Sequence, residues 1–226
     1  YAPLEGHRVD QTLGFSGGKY AVGPAVFRRV PGIGLEAHIE IGHRRPARGS
    51  GMIHKLISHN GRLLPVDQAR LSPGQEGVIN GWGLFTTLRV FEGLPFAFDR
   101  HWHRLSRDAE RTRVPFSFDP KKVQANVMEV IRGNQVREGA VRIYMIWNRT
   151  GMWHSDESFS EVDIVITSAA LPRYPDVARL DLRAHGRHAA SPLAGTKVIS
   201  WLNNVWHARE AKLGGFDEVV LLNERG

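Results

Sequence analysis

The chain has 226 residues, 42% of them hydrophobic and 23% charged, a balance that suits one large or two modest packed domains and excludes whole-chain disorder. It has no cysteine, which excludes disulfide scaffolds, thiol catalysis, zinc ribbons and iron–sulfur clusters, and no apolar run approaches the roughly 18 residues of a membrane-spanning helix. The 30 basic and 23 acidic residues give a net charge of +7, which admits anionic ligands, but the arginines are scattered and form no nucleic-acid stripe.

Residues 1–51 hold ten of the 24 glycines and four of the twelve prolines. They show neither helical nor strand period and read as a disordered or non-native extension. Met52 is the first methionine, and a natural start there is the expectation. Residues 53–58 are strand-like, and Asn60-Gly61 turns them toward Leu63-Leu64 as a hairpin. Residues 82–90 form the next predicted strand. Glu92-Gly93 can turn it into residues 94–98, where Pro95 marks an edge strand or bulge.

Asp99 is expected to cap a helix over about residues 100–113, with Trp102, Leu105 and Ala109 at 3–4 spacing. Asp119-Pro120 starts a second helix, with Val123, Val127, Val130 and Ile131 as its stripe and Asn134 at its end. Strands follow at 141–147 and 162–167. Pro172 and Pro175 stiffen a linker over 169–177. Residues 180–184 alternate as a strand, and a loop leads to Lys197. A helix over 201–213 carries Leu202, Val205, Trp206 and Leu213 on one face and stops at Gly214-Gly215. Residues 218–222 form the last strand. The fold class is therefore α/β: a small α+β domain over 52–168, a linker over 169–177 and the start of a second α/β domain over 178–226. A strand running into the turn at 223–226 expects a returning partner, so a C-terminal truncation is expected.

Lys197 lies in Ala194-Gly195-Thr196-Lys197-Val198-Ile199, a small and apolar setting with no acid until Glu210. Such a setting disfavours the charged amine and makes it a usable nucleophile toward carbonyls. The alternative is a plain loop lysine. Arg104 follows the core-facing Trp102 on the first helix, and a planar guanidinium there suits a phosphate; the alternative is a surface arginine. Arg142, on a strand with an apolar alternate face, suits a carboxylate or a cross-strand ion pair. No metal is expected: His101 and His103 face different sides of a helix, and no His-Glu-x-x-His run exists. A Walker loop is absent, and Gly81-Trp82-Gly83 precedes a strand rather than a helix, which fails the dinucleotide context.

Three stretches share a pattern in colinear order from about Met52 to the end. The first is Gly81-Trp82-Gly83-Leu84-Phe85-Thr86-Thr87-Leu88-Arg89-Val90, with Pro95-Phe96 and His101-Trp102-His103-Arg104-Leu105 behind it. The second is Val141-Arg142-Ile143 with Arg149-Thr150-Gly151. The third, and most specific, is Lys197-Val198-Ile199-Ser200-Trp201-Leu202-Asn203-Asn204, then Glu210-Ala211, Gly215-Phe216-Asp217-Glu218 and Gly226. They resemble the class IV, or fold type IV, pyridoxal-phosphate aminotransferases, which include branched-chain and D-amino acid aminotransferases and aminodeoxychorismate lyase.

The resemblance implies that Lys197 carries pyridoxal 5'-phosphate through a Schiff base and that Arg104 binds its phosphate. It places Trp201 beside the cofactor, Arg142 near the substrate carboxylate and Phe85 in the side-chain pocket. It implies transfer of an amino group from a branched-chain or related amino acid to 2-oxoglutarate, in a homodimer with amino acid and 2-oxo acid substrates; a cytoplasmic location is the expectation from the lack of cysteine and of an apolar signal-peptide core. Aminodeoxychorismate lyase is the alternative of the same fold, and a non-catalytic basic domain that binds anions or nucleic acid is the alternative of another class. The family usually has Glu where Thr86 stands and often Tyr where Trp201 stands, whose hydroxyl Trp201 lacks. The family's glutamate facing the pyridine nitrogen is expected just after Gly226, so little or no turnover is expected of the chain as it stands.

Overall fold

The computed structural model describes the backbone of residues 26–30 and 34–40, and residues 52–71, 74–148, 160–172 and 175–226 in full. The chain divides into two compact units. One comprises residues 48–172 and 195–201, the other residues 1–47, 173–194 and 202–226.

The first unit is a six-stranded antiparallel sheet with two long helices. Its strands are β3 (Leu56–His59), β4 (Arg62–Pro65), β5 (Gly83–Phe91), β6 (Leu94–Pro95), β7 (Gly139–Trp147) and β8 (Val162–Ala169), in the order β4-β3-β8-β7-β5-β6. Its helices are the short α1 (Glu76–Ile79), α2 (Phe98–Thr112) and α3 (Pro120–Gly133). Both expected hairpins form. Asn60 and Gly61 have φ of 51° and 80°, and Glu92 and Gly93 have φ of 50° and 80°. Positive φ at both central positions matches the right-handed twist of the flanking strands. Pro95 sits on edge strand β6, where a missing N–H costs no ladder bond.

Asp119 accepts from the Lys121 N–H at 2.9 Å and caps α3, as its position predicts. Asp99 does not cap α2. The helix begins one residue earlier, behind Ala97 in the left-handed region, and Asp99 lies in its first turn, where its charge still complements the helix dipole. The core fills one face of the sheet. Leu84, Leu88 and Val90 of β5 and Val141, Ile143 and Met145 of β7 pack with Leu105 and Ala109 of α2 and with Val123, Val127, Val130 and Ile131 of α3. The opposite face of the same strands carries Phe85 and Thr87 across from Tyr144 and Arg142.

The second unit is a four-stranded sheet in the order β1-β2-β9-β10, from β1 (Val26–Val30), β2 (Gly34–Glu40), β9 (Val177–Arg183) and β10 (Glu218–Leu221). Helix α4 (Leu202–Leu213) precedes β10, which pairs in parallel with β9. Two strands thus occupy the stretch expected to hold none. Leu35, Ala37 and Ile39 alternate with Glu36, His38 and Glu40, a period of two hidden among glycines, and β9 supplies the partner that makes β2 a strand. The apolar side of α4 is also a surprise. Leu202, Val205, Trp206 and Leu213 are all exposed, and only Ala211 of the helix is buried. No described element covers those four side chains. Among the described residues no helix is long and apolar enough to cross a membrane.

Candidate active site

Lys197 is placed by two glycines. Segment 198–200 lies along the start of β5, bridging Val198 to Leu84. The Phe85 N–H donates to the Lys197 carbonyl at 3.0 Å, and the Ile199 N–H donates to the Gly83 carbonyl at 3.0 Å. A Cβ on Gly83 would stand 2.8 Å from Ile199 Cδ1 and collide with the Met145 carbonyl. One on Gly81, whose φ is +69°, would stand 2.9 Å from the Ser200 Cβ. The Gly81-Trp82-Gly83 run therefore makes room for the lysine segment.

This register sets Lys197 beside Phe85. Its Nζ lies 4.8 Å from the centre of the Phe85 ring and 5.6 Å from that of Trp201. The two rings meet edge to face at 5.3 Å. Arg142 approaches the same Phe85 ring at 5.0 Å. Its Nε donates across the strands to Thr87 Oγ1 at 2.9 Å, so its cross-strand partner is a hydroxyl and not an acid. Lys197, Trp201, Phe85 and Arg142, with Tyr144 beside Phe85, thus share one face. Phe85 is buried and Arg142 exposed, so the cation stands at the rim and the ring forms the wall.

Arg104 comes from α2, where His101, Arg104 and Asp108 recur at helical spacing. The neighbouring stripe of Phe98, Leu105 and Ala109 is buried in the core. Arg104 Nη2 donates to Thr86 Oγ1 at 2.6 Å, and the same hydroxyl lies 2.8 Å from His101 Nδ1. A guanidinium only donates, so the Thr86 oxygen accepts from it, and the direction of its bond to Nδ1 follows the His101 tautomer. Burial, then the charges of Arg104 and Lys197, hold the His101 pKa below its ordinary 6.5. Each of these causes favours the neutral imidazole. Arg104 and His101 thus meet β5 at Thr86, on the core face of the strand, while the Lys197 amine stands at Phe85 on the alternate face.

Asp108, one turn further along α2, is buried and accepts from the Lys197 N–H at 3.2 Å through Oδ2. Sequence reasoning does not single out Thr86 as an acceptor, nor His101 or Asp108 as functional groups. The i, i+3, i+7 recurrence of three polar groups beside a core stripe is the available signal. Arg149-Thr150-Gly151 lies outside the described residues. Among the described residues no group of three or more His, Asp or Glu is placed to hold a metal ion.

The donor set fits a carbonyl-bearing phosphate ester such as pyridoxal phosphate. It offers a primary amine at Lys197, a half-buried guanidinium held at Thr86, and the aromatic faces of Phe85 and Trp201.

Solved structures share this architecture. The branched-chain aminotransferase from the archaeon Thermoproteus uzoniensis, with norvaline, superposes with a TM-score of 0.63 at 21% identity, over 76% of this chain and 61% of that one. The branched-chain amino acid aminotransferase from Escherichia coli gives 0.64 at 18% identity, over 76% and 59%. In sequence, a putative branched-chain-amino-acid aminotransferase of Methanocaldococcus jannaschii is 23% identical over 172 residues, 74% of this chain and 59% of that protein. An aminodeoxychorismate lyase of Bacillus subtilis is 30% identical over 88 residues, 39% of this chain and 30% of that protein. The chain thus spans about three-fifths or less of the length of these relatives. The fold is that of the fold type IV aminotransferases, one of which was solved with pyridoxamine 5'-phosphate. The family model described as amino-transferase class IV matches residues 83–226, from the first residue of β5 through the lysine segment to the end, and the chain belongs to that family.

Proposed function

We propose that this protein is a pyridoxal-phosphate-dependent aminotransferase that moves an amino group from a branched-chain or related amino acid to 2-oxoglutarate. Family membership implies the cofactor. The observation that carries the reading is the placement of Lys197. Its amine stands over Phe85 and Trp201 while its carbonyl is tied to β5, and the guanidinium of Arg104 is tied to the next residue of the same strand.

Pyridoxal phosphate, when bound, supplies an aldehyde that captures amines and a ring that accepts electrons from the substrate Cα. Lys197 would hold it through Nζ and, once exchanged for the substrate amine, take a proton from Cα with the same atom. Arg104 would grip the phosphate, with the Thr86 hydroxyl keeping the guanidinium in place. Arg142 would take the substrate carboxylate at the rim, and Phe85 and Trp201 would exclude water from the reacting face. Trp201 offers no hydroxyl acceptor and presents an indole face instead. A cytoplasmic homodimer belongs to the same proposal, and sedimentation at micromolar concentration tests the dimer.

The test is borohydride reduction of the protein with pyridoxal phosphate, followed by peptide mapping. A label confined to Lys197 supports the reading; a label on another lysine, or none, sinks it.

A second reading, aminodeoxychorismate lyase, is favoured by the 30% identity to the Bacillus subtilis protein of that name and by the aromatic wall of Phe85, Tyr144 and Trp201 beside Arg142. Pyruvate release, followed with lactate dehydrogenase, supports the lyase. Glutamate formed from 2-oxoglutarate supports the aminotransferase.

A further inference from the structure

We propose that Asp108 is a positioning residue for Lys197: its carboxylate fixes the lysine main chain from the helix side, and the amine is delivered from that fixed point. The inference deepens the aminotransferase reading, because it rests on Lys197 being the amine that matters.

Asp108 is only 2% exposed. A buried carboxylate needs hydrogen bonds to be tolerated, and those it makes reveal its use. Oδ1 accepts from Nε and Nη2 of Arg107 at 3.3 and 3.0 Å, a side chain that reaches out to solvent. Oδ2 is spent on the Lys197 N–H at 3.2 Å, 89 residues away along the chain. The Lys197 carbonyl meanwhile accepts from the Phe85 N–H. Both polar groups of the Lys197 main chain are therefore held, one by α2 and one by β5. The hold on β5 continues past the lysine into the Val198–Leu84 bridge. Before the lysine, residues 192–195 are turn, and Gly195 has φ of +81°. Asp108 thus ties the segment to α2 where the chain leaves that turn.

Helix α2 also carries Arg104, one turn before Asp108. A single rigid element sets both the guanidinium proposed for the phosphate and the anchor of the amine proposed for the aldehyde. Asp108 reaches no reacting atom in this scheme and acts wholly through Lys197.

Two readouts test this on the whole chain. The first, without cofactor, is amide hydrogen exchange of the peptide containing Lys197. Asp108→Ala should speed its exchange by about tenfold or more while peptides from β7 and β8 stay unchanged. Asp108→Asn keeps one acceptor oxygen for the Lys197 N–H and gives up the one facing the exposed Arg107, and should stay within about twofold of the wild type. The second readout is the rate of borohydride-trapped pyridoxal phosphate labelling at Lys197, which should fall in Asp108→Ala and recover in Asp108→Asn. Arg107→Ala, which leaves the Oδ2 bond intact, should change neither. Unchanged exchange in Asp108→Ala overturns the anchor, and so does an Asp108→Asn that loosens Lys197. If Asp108→Ala does not fold, the Asn and Arg107 variants decide alone. A wild-type chain that takes no label at Lys197 defeats the aminotransferase reading, while the exchange data still judge the anchor.

Discussion

Arg104 donates from Nη2 to the buried Oγ1 of Thr86 at 2.6 Å, joining helix α2 to strand β5 at a residue 18 positions away. The bond aims a charged side chain that would otherwise have several rotamers. Thr86→Val keeps the volume and removes the acceptor. Titration of the cofactor absorbance should show the affinity for pyridoxal phosphate weakened by about tenfold, the cost of one charge-assisted hydrogen bond. Unchanged affinity would mean that another group holds the guanidinium.

His101 should titrate below 6.5 in the folded protein, because burial and then the charges of Arg104 and Lys197 oppose its protonation. The unfolded chain takes up that proton more readily. Stability is therefore full above pH 6.5 and falls as the pH drops from there toward the folded pKa. Imidazole NMR gives the midpoint, and denaturant melts at about pH 7.5 and about pH 5.5 give the slope. His101→Gln should flatten this part of the pH dependence; a midpoint at or above 6.5 contradicts the assignment.

Gly83→Ala forces a methyl group against the Met145 carbonyl and Ile199. Backbone on one side leaves little room for relief. Overpacking of this kind costs about 1–3 kcal/mol, read in a urea melt. Its second signature is weaker cofactor labelling at Lys197, since the lysine segment must move away from β5.

Helix α3 offers a calibrated contrast. Asp119→Ala removes the N-cap acceptor of the Lys121 N–H and should cost about 1 kcal/mol. Leu105→Ala, at a fully buried position of α2, should cost about 2–5 kcal/mol through the lost transfer energy and the cavity it leaves. Equal losses in the two variants would show that α2 is not packed as described.

What the sequence determined alone was local. Asn60-Gly61 and Glu92-Gly93 turn their hairpins because these pairs reach positive φ. Asp119-Pro120 starts α3, and Asn134 ends it, because caps act over two to four residues. The Lys197 and Arg104 candidates were legible through their neighbours and the family pattern around them.

The remaining arrangement depends on contacts between distant positions. No local rule says that residues 34–40 find β9, that no described residue buries Leu202, Val205, Trp206 and Leu213 of α4, or that Gly81 and Gly83 open space for residues 199 and 200. The same holds for Thr86 serving Arg104 and His101, and for a helix carboxylate reaching the Lys197 amide. Local conformational preference reaches only a few residues along the backbone. Long-range partners are chosen by the fold as a whole, through the burial that leaves a polar group no other place to bond.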